Sequence, residues 1–316
     1  MSYSTFFSGD RAWLGGERRE TRSGLDHNDG ALYVCDRETV LAVRVSMAAG
    51  RPLLLTGPPG SGKSSLASYV ARELGWNYFE KVITSKTDAD ELRGVVDDVR
   101  RYRDATAKEL IDDLRAYVEP GVLWWAFAPE SARDRGFEST PVNPAKPPPG
   151  EFRGFDRPSV VLLDEIDKAD PDVPNDCLVT LGSRRFQVKG TPVQVEECAP
   201  EPPLIIITSN RERALPPAFV RRCVVHELRP PGVEGLHSIA REHFPEHSEQ
   251  YGTEILALAE RVVREREGAN ELIGFPSTAE FLDAVRVRIK LKDRVENDTE
   301  LWDQVYAAVL WKGRRQ

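Results

Sequence analysis

The chain is poor in cysteine and contains no long apolar run. Its 316 residues include only four cysteines, and no two have the spacing Cys-x-x-Cys. Because that spacing is typical of zinc knuckles and redox pairs, neither kind of site is predicted. We expect separate, reduced thiols at Cys35, Cys177, Cys198 and Cys223. No segment approaches the ~20 apolar residues of a membrane helix, and the N-terminus has no basic stretch followed by an apolar core. The expected protein is therefore cytoplasmic and has no membrane partner.

An excess of positive charge is also absent. The sequence has 43 Lys and Arg against 51 Asp and Glu, which gives a net charge of −8. This balance disfavours a protein that coats nucleic acid, although a local basic patch stays open. The content of 40% hydrophobic and 30% charged residues is that of a globular protein. The length suggests about two domains.

One glycine-rich segment carries most of the information in the chain. It matches the pattern Gly-x-x-x-x-Gly-Lys-Ser with the residues Gly57-Pro58-Pro59-Gly60-Ser61-Gly62-Lys63-Ser64. An apolar run precedes it and an amphipathic helix pattern follows, which is the context that a phosphate-binding loop requires. The loop N–H groups and the helix N-terminus would point at negative charge. We expect Lys63 to reach the β- and γ-phosphates and Ser64 to ligate Mg²⁺, with the loop and Ser65 forming the rest of the ATP site.

Apolar strand patterns alternate with helix patterns in most of the chain. Strands are predicted at about 52–56, 78–84, 159–163, 204–208 and 223–228. Helices are predicted from Asp36 to Gly50, around 175–181, and along a face with Leu110, Ile111, Leu114 and Val118; a hairpin is predicted at 186–195. This alternation predicts a parallel α/β sheet flanked by helices.

The remaining segments set the predicted domain boundaries. From residue 229 the pattern is helical, and a capping box at Ser277–Glu280 opens one of its helices. We therefore predict an αβα nucleotide-binding domain at 1–228 and an all-α domain at 229–316. Within the first, 1–30 is an irregular arm, and the proline-rich segment 129–158 is a loop without a regular element.

Polar residues follow two of the predicted strands. Asp164 and Glu165 end the strand at 159–163, where Asp164 can hold Mg²⁺ and Glu165 can activate a water. The alternative is a pair of exposed carboxylates. Asp167 is interpreted as a cap or surface residue. Asn210 ends the next strand, where it can touch the γ-phosphate and the attacking water, although Ser-Asn is also a common turn.

Two arginines follow a predicted helix immediately before the last strand. Arg221 and Arg222 either complement the helix dipole or supply an arginine finger to a neighbouring subunit, and we prefer Arg222 for the finger. The guanine-reading pattern Asn-Lys-x-Asp is absent, and no kinase catalytic loop is present.

The order of these motifs resembles that of the AAA+ ATPases. Residues 57–64 resemble Walker A, 161–165 Walker B, 206–210 sensor 1 and 215–222 the arginine-finger box. Residues 164–169, Gly121-Val122-Leu123 and the hairpin are similar to the MoxR-like and dynein-related branch. The resemblance implies a helical lid, a hexameric ring with ATP between subunits, and an adenine site near Tyr33 and Val34. Thr278 lies where many relatives carry the sensor 2 arginine, so no residue is assigned to that role.

Three further features and three functions stay open. Trp124 and Trp125 fit core packing, or contact with a substrate or partner. The segment 129–158 fits a docking segment or a surface insert. A solvated helix face is preferred over a nucleic-acid site for Arg286, Arg288, Lys290, Lys292 and Arg294. The functions are remodelling of a separately encoded partner protein, an ATP-dependent oligomeric switch that gates an effector, and a motor subunit of a DNA-processing complex.

Overall fold

The computed structural model describes residues 32–199, 201–248, 250–268, 276–291 and 299–310. The predicted arm at 1–30 lies outside these residues. The strands are β1 (Leu53–Thr56), β2 (Asn77–Val82), β3 (Gly94–Val96), β4 (Val118–Pro120), β5 (Gly150–Glu151), β6 (Ser159–Asp164), β7 (Arg185–Gln187), β8 (Gln194–Glu196), β9 (Leu204–Ser209) and β10 (Val224–Glu227). The helices are α1 (Arg37–Ala49), α2 (Lys63–Leu74), α3 (Ala89–Arg93), α4 (Asp98–Ala107), α5 (Val122–Phe127), α6 (Pro129–Arg133), α7 (Asp172–Ser183), α8 (Pro217–Val220), α9 (Val233–His243), α10 (Gly252–Gly268), α11 (Thr278–Leu291) and α12 (Thr299–Leu310). Among these helices, none is long and apolar enough to cross a membrane.

A six-stranded sheet organises the first two thirds of the chain. Its strand order is β10-β1-β9-β6-β2-β5, and every neighbouring pair is parallel except β2 with β5. Side chains alternate across the sheet, so Leu53 and Leu55 enter the apolar cluster on one face and Leu54 that on the other. Because both faces are covered, β1, β6 and β9 are nearly continuous apolar runs. The predicted α/β fold class is confirmed.

The boundaries of α1 follow from its end residues, as predicted. The Asp36 carboxylate accepts the N–H of Thr39 at 2.6 Å, and Gly50 ends the helix with a left-handed φ of 60°. The predicted helix around 175–181 is found as α7, and the predicted hairpin as β7 and β8, which pair antiparallel.

The predicted helix face with Leu110, Ile111, Leu114 and Val118 is wrong. Leu114 begins a 3₁₀ turn that Asp113 caps, and Val118 begins β4, which pairs with β3. Leu110 and Ile111 are more than 40% exposed. The helical spacing of these residues is therefore a coincidence, because long-range strand pairing decides the local structure.

The prediction of 129–158 as a loop without regular structure is wrong in part. Pro129 is the first residue of α6, where a missing N–H costs no helix bond. Gly150 and Glu151 form β5 against the edge of the sheet. The carbonyl of Tyr78 approaches Gly150 so closely that a Cβ there would lie 2.0 Å from it, which only glycine tolerates.

Asn77 and an aromatic cluster fix the same segment to the sheet. The fully buried Asn77 amide donates to the carbonyls of Gly154 and Arg157 at 2.9 Å and accepts the N–H of Arg153 at 2.7 Å. Phe152 packs edge-on against Trp125, with ring centres 5.8 Å apart. Trp124 and Trp125 are fully buried, so their interpretation as core residues is confirmed.

The four helices α9 to α12 pack around a third apolar cluster, which contains no residue of the sheet. The predicted capping box is confirmed: the Ser277 N–H donates to the Glu280 carboxylate at 2.8 Å and the Glu280 N–H to the Ser277 hydroxyl at 3.2 Å. Arg286 pairs with Asp283, and Arg288 covers the ring of Trp302. Lys292 and Arg294 lie outside the described residues. The domain boundary near 229 stays a prediction.

Candidate functional site

The glycine-rich loop joins the carboxyl end of β1 to the first turn of α2. Gly57 and Gly62 have φ angles of 145° and 91°, which side-chain-bearing residues rarely adopt. A Cβ on Gly57 would also lie 2.3 Å from the carbonyl oxygen of Leu228. The loop therefore needs glycine for its shape, and the helix N-terminus that it leads into favours an anion.

Lys63 lies inside this loop rather than on the surface. Its side chain is 6% exposed, and Nζ donates to the carbonyls of Gly57 at 2.9 Å and Pro58 at 2.8 Å. Burial lowers the pKa of Lys63, while Asp164 and, more weakly, Asp167 and Glu165 raise it. The three carboxylates thus help to keep a buried ammonium charged.

Asp164 links the loop to two neighbouring strands. Its carboxylate accepts the Ser64 hydroxyl at 2.9 Å and the Thr208 hydroxyl at 2.5 Å. Ser64 lies in the first turn of α2, Asp164 ends β6, and Thr208 belongs to β9. The predicted pair Ser64 and Asp164 is therefore brought together. Oxygen atoms of a hydroxyl and a carboxylate fit Mg²⁺, which needs few protein ligands when phosphate supplies others.

Glu165 has a left-handed backbone, with φ 60° and ψ 47°. Its N–H donates to the Thr208 hydroxyl at 2.8 Å. Its carboxylate accepts the Asn210 amide on Oε1 at 3.2 Å and the Lys168 ammonium on Oε2 at 2.7 Å. The structure therefore places the predicted Glu165 and Asn210 in direct contact and engages both carboxylate oxygens.

Asp167 is not the cap or surface residue that the sequence predicted. It is 3% exposed, and its carboxylate accepts the N–H of Asn210 at 3.4 Å and that of Glu212 at 2.9 Å. The 3₁₀ turn after Glu165 directs it towards the end of β9. Sequence periodicity gave no signal for this inward direction.

Arg211 crosses the ends of three strands. It follows Asn210, just after the end of β9, and has a φ of 62°. Its guanidinium donates to Glu227 on β10 and to the Thr56 hydroxyl on β1, both at 2.9 Å. Sequence reasoning missed this arginine, and it also missed Thr208 and Lys168. Thr208 could have been recognised from the sequence because it is polar and lies two residues before Asn210, a spacing that puts two side chains on the same side of extended backbone.

Tyr33 lies beside the phosphate-binding loop. Its ring stacks on Tyr69 of α2 with centres 5.4 Å apart, and a Cβ on Gly62 would lie 3.2 Å from it. Burial raises the pKa of Tyr33, so its hydroxyl stays protonated. Val34 is 37% exposed. The role of Tyr33 and Val34 at adenine stays a prediction.

Arg221 and Arg222 lie just after α8, and both are exposed. Within the part of the chain that the structure describes, neither forms a side-chain hydrogen bond with Glu165 or Asn210. The role of the two arginines as a finger stays a prediction.

The first turn of α11 touches the phosphate-binding loop. The Thr278 N–H donates to the carbonyl of Gly60 at 3.3 Å. A Cβ on Gly60 would lie 2.2 Å from that of Ser277, so the contact requires glycine. The Thr278 hydroxyl is buried and has no hydrogen-bond partner among the described residues. Thr278 therefore contacts the loop from the position that the resemblance gives to the sensor 2 arginine of many relatives.

Comparisons with known proteins give the family. A family model described as "AAA domain (dynein-related subfamily)" matches residues 52–223, more than half of the chain. The chain is 27% identical over 262 residues to the peroxisomal Lon protease homolog 2 of Oryza sativa subsp. indica, a match that covers 78% of this chain and 24% of the relative. It thus spans about a quarter of that relative. The replication factor C large subunit of Methanococcus maripaludis is 30% identical over 87 residues, or 27% of this chain and 18% of the relative.

A solved structure has the same fold. NtrX from Brucella abortus in complex with ADP superposes with a TM-score of 0.50 at 14% identity, covering 89% of this chain and 56% of that one. The motif order, the parallel sheet and the family match agree. The chain belongs to the AAA+ ATPases, in the dynein-related subfamily of AAA domains.

Proposed function

We propose that this chain is a MoxR-like ATPase that hydrolyses ATP at the subunit interfaces of a homo-hexameric ring and uses it to remodel or activate a separately encoded partner protein. The contact of Glu165 with Asn210, beside the Ser64–Asp164 pair, carries the proposal. These residues come from three elements, α2, β6 and the turn after β9, and they meet beside the glycine-rich loop. The helices α9 to α12 are the proposed lid.

The residues fit ATP and Mg²⁺. The backbone of the loop 57–62, with Lys63 at its centre, would hold the phosphates, and Ser64 and Asp164 would hold the metal ion. Magnesium bound there would neutralise charge on the phosphates. Tyr33, whose ring lies against Gly62 of the loop, and its neighbour Val34 are proposed to contact the adenine.

The catalytic roles follow from the hydrogen bonds. Glu165 is the proposed general base that accepts a proton from water, and Asn210 orients that carboxylate through its amide. Because Arg221 and Arg222 are exposed on the surface of the described chain, Arg222 is proposed to reach the site of a neighbouring subunit.

Turnover measurements test the site directly. Lys63→Ala should lose binding of Mg²⁺-ATP, and Glu165→Gln should bind it but lose at least about 100-fold in kcat. Glu109→Gln, a change of an exposed glutamate, is the matched control. Tight ATP binding by Lys63→Ala would refute the assignment of the loop.

The solution mass tests the ring. Glu165→Gln with Mg²⁺-ATP should shift from a monomer to about six subunits. Arg222→Ala should bind ATP without hydrolysing it, and mixing it with Glu165→Gln should restore some turnover if the finger acts between subunits. Arg101→Ala, another exposed arginine, should have no effect. If no mixing ratio restores turnover, a finger at Arg222 is refuted.

One observation favours the second candidate, a slow ATP-dependent switch that gates an effector. Lys168 holds Oε2 of Glu165 at 2.7 Å, which ties up the proposed base. If this pair limits turnover, Lys168→Met should raise kcat severalfold, while Lys146→Met, at an exposed position, should not. Unchanged or lower kcat would leave the remodelling ATPase as the better account.

A DNA-processing motor is the third candidate. The net charge of −8 does not favour it, and the match to a replication factor C subunit covers only 27% of the chain. Stimulation of turnover by DNA with a steep salt dependence would establish it. Stimulation by a protein partner alone would support remodelling.

A further inference from the structure

Asp167 is a buried carboxylate that the proposed chemistry does not use. It is 3% exposed, and a buried charge is costly unless it is paired or hydrogen-bonded. We therefore expect the Asp167 carboxylate to form hydrogen bonds that a neutral side chain could not form equally well. The contacts of Asp167 indicate what these bonds are.

Both carboxylate oxygens of Asp167 bind the turn that follows β9. Oδ1 accepts the N–H of Asn210 at 3.4 Å, and Oδ2 accepts the N–H of Glu212 at 2.9 Å. Asp167 itself belongs to the 3₁₀ turn that begins directly after Glu165. Asp167 thus ties the backbone that carries Asn210 to the backbone that carries Glu165.

The residues that these two turns carry are also in contact with each other. The amide of Asn210 donates to Oε1 of Glu165 at 3.2 Å, and the hydroxyl of Thr208 accepts the N–H of Glu165 at 2.8 Å. A shift of the β9 turn would therefore separate the Asn210 amide from the Glu165 carboxylate. Asp167 is the residue whose bonds oppose such a shift.

The two N–H donors explain why the residue is aspartate. A carboxylate offers acceptors on both oxygens and has no donor, whereas asparagine has one acceptor oxygen and an amide group that donates. Asparagine at 167 would satisfy one of the two N–H groups and present its own donors to the other. It should therefore retain part of the effect, and alanine none.

We propose that Asp167 is a positioning residue for Asn210: by accepting the N–H groups of residues 210 and 212, it holds the Asn210 amide against the Glu165 carboxylate. This role rests on the proposed ATPase function. In this proposal Asp167 does not contact the reacting atoms, and its effect on turnover is exerted through Asn210.

A double-mutant cycle tests the proposal on the full chain. Asp167→Ala should lower kcat about 10- to 100-fold, since small displacements of catalytic groups have effects of that size. The dissociation constant for ATP should stay unchanged, and Asp167→Asn should show a smaller loss. In the Asn210→Ala background, Asp167→Ala should cause no further loss of kcat. Asp170→Asn is the matched control, because the exposed Asp170 also accepts a backbone N–H, from Asp172 at 3.2 Å.

Equal losses of kcat in both backgrounds would overturn the proposal, because they would show that Asp167 acts on the site independently of Asn210. Should Asp167→Ala fail to fold, Asp167→Asn takes its place in the cycle. Absent turnover in the unmodified protein would refute the ATPase function instead.

Hydrogen exchange gives a readout that needs no turnover. In the protein without added nucleotide, Asp167→Ala should speed exchange in peptides that cover 205–214, and Asp170→Asn should not. Unchanged exchange in this segment would show that Asp167 does not hold the turn, and it would overturn the proposal even if the ATPase function fails.

Discussion

Replacing Thr208 by valine tests the centre of the site. Thr208 is fully buried, its hydroxyl donates to Asp164 at 2.5 Å, and it accepts the N–H of Glu165 at 2.8 Å. Valine has nearly the same shape but removes both bonds. The left-handed turn at Glu165 then loses the acceptor for its own N–H.

The size of the effect follows from these two bonds. A hydrogen bond to an ionised carboxylate is worth about 1.5–3 kcal/mol, and a buried N–H without an acceptor costs about 1–3 kcal/mol. Ser64 still donates to Asp164, and the added methyl group of valine gains roughly 0.8 kcal/mol of apolar burial. We therefore expect Thr208→Val to lower the free energy of unfolding by about 2–4 kcal/mol. Thr208→Ser keeps the hydroxyl and loses one methyl group, so it should lose only about 1 kcal/mol.

Urea unfolding followed by tryptophan fluorescence measures this difference. Trp124 and Trp125 are fully buried and report on the same apolar cluster as β6 and β9. For an m-value of about 3 kcal/mol/M, a loss of 3 kcal/mol lowers the midpoint by about 1 M. A valine variant that is as stable as the unmodified protein, or more stable than the serine variant, would refute the role given to the hydroxyl.

Three further predictions concern other parts of the chain. Asn77→Ala should lower the free energy of unfolding by about 2–4 kcal/mol, because the carbonyls of Gly154 and Arg157 and the N–H of Arg153 lose the buried amide that binds them. A loss below about 0.5 kcal/mol in urea unfolding would contradict this. Burial raises the pKa of Cys177 and of Cys223 to about 12, so at pH 8 only about one molecule in 10⁴ carries a thiolate at either position. The exposed Cys198 should therefore react before these two cysteines with a thiol reagent. Mass spectrometry of partly labelled protein checks the order, and equal rates at Cys177 would refute it. Arg266 donates to the carbonyls of Pro231 at 2.7 Å and Pro276 at 2.8 Å. Lysine keeps the charge but lacks the planar guanidinium that reaches both carbonyls, so Arg266→Lys should lower the melting temperature by several degrees. An unchanged melting temperature would show that the two bonds of the guanidinium do not stabilise the protein.

Local patterns were sufficient where one short stretch decides the structure. Asp36 and Gly50 cap α1, the capping box at 277–280 starts α11, and the glycine-rich loop lies between strand and helix as predicted. The apolar runs of β1, β6 and β9 were recognisable because both faces of the sheet are covered. In each case the residues that decide the structure are neighbours in sequence.

The predictions that failed depend on residues far apart in sequence. Val118 joins β4 because β3 lies beside it, and Gly150 joins β5 because the edge of β2 is available. Asp167 turns inward because donors of residues 210 and 212 lie there. Helical periodicity describes one segment at a time, so it cannot predict such contacts. The order of the motifs assigned Glu165 and Asn210 to the same predicted site, and their side chains are in contact.

The short strand β5 bears on the behaviour of the protein at high concentration. An exposed sheet edge offers free N–H and carbonyl groups to strands of other molecules, which leads to aggregation. Here β5 pairs with β2, and the carbonyl of Pro149 accepts the N–H of Glu80 at 3.1 Å. Because Pro147, Pro148 and Pro149 lack N–H groups, the segment that leads into β5 cannot itself extend the ladder to another molecule. A shortened variant without 138–158 would uncover the edge of β2, and light scattering should show that its molecules associate more readily than the full chain.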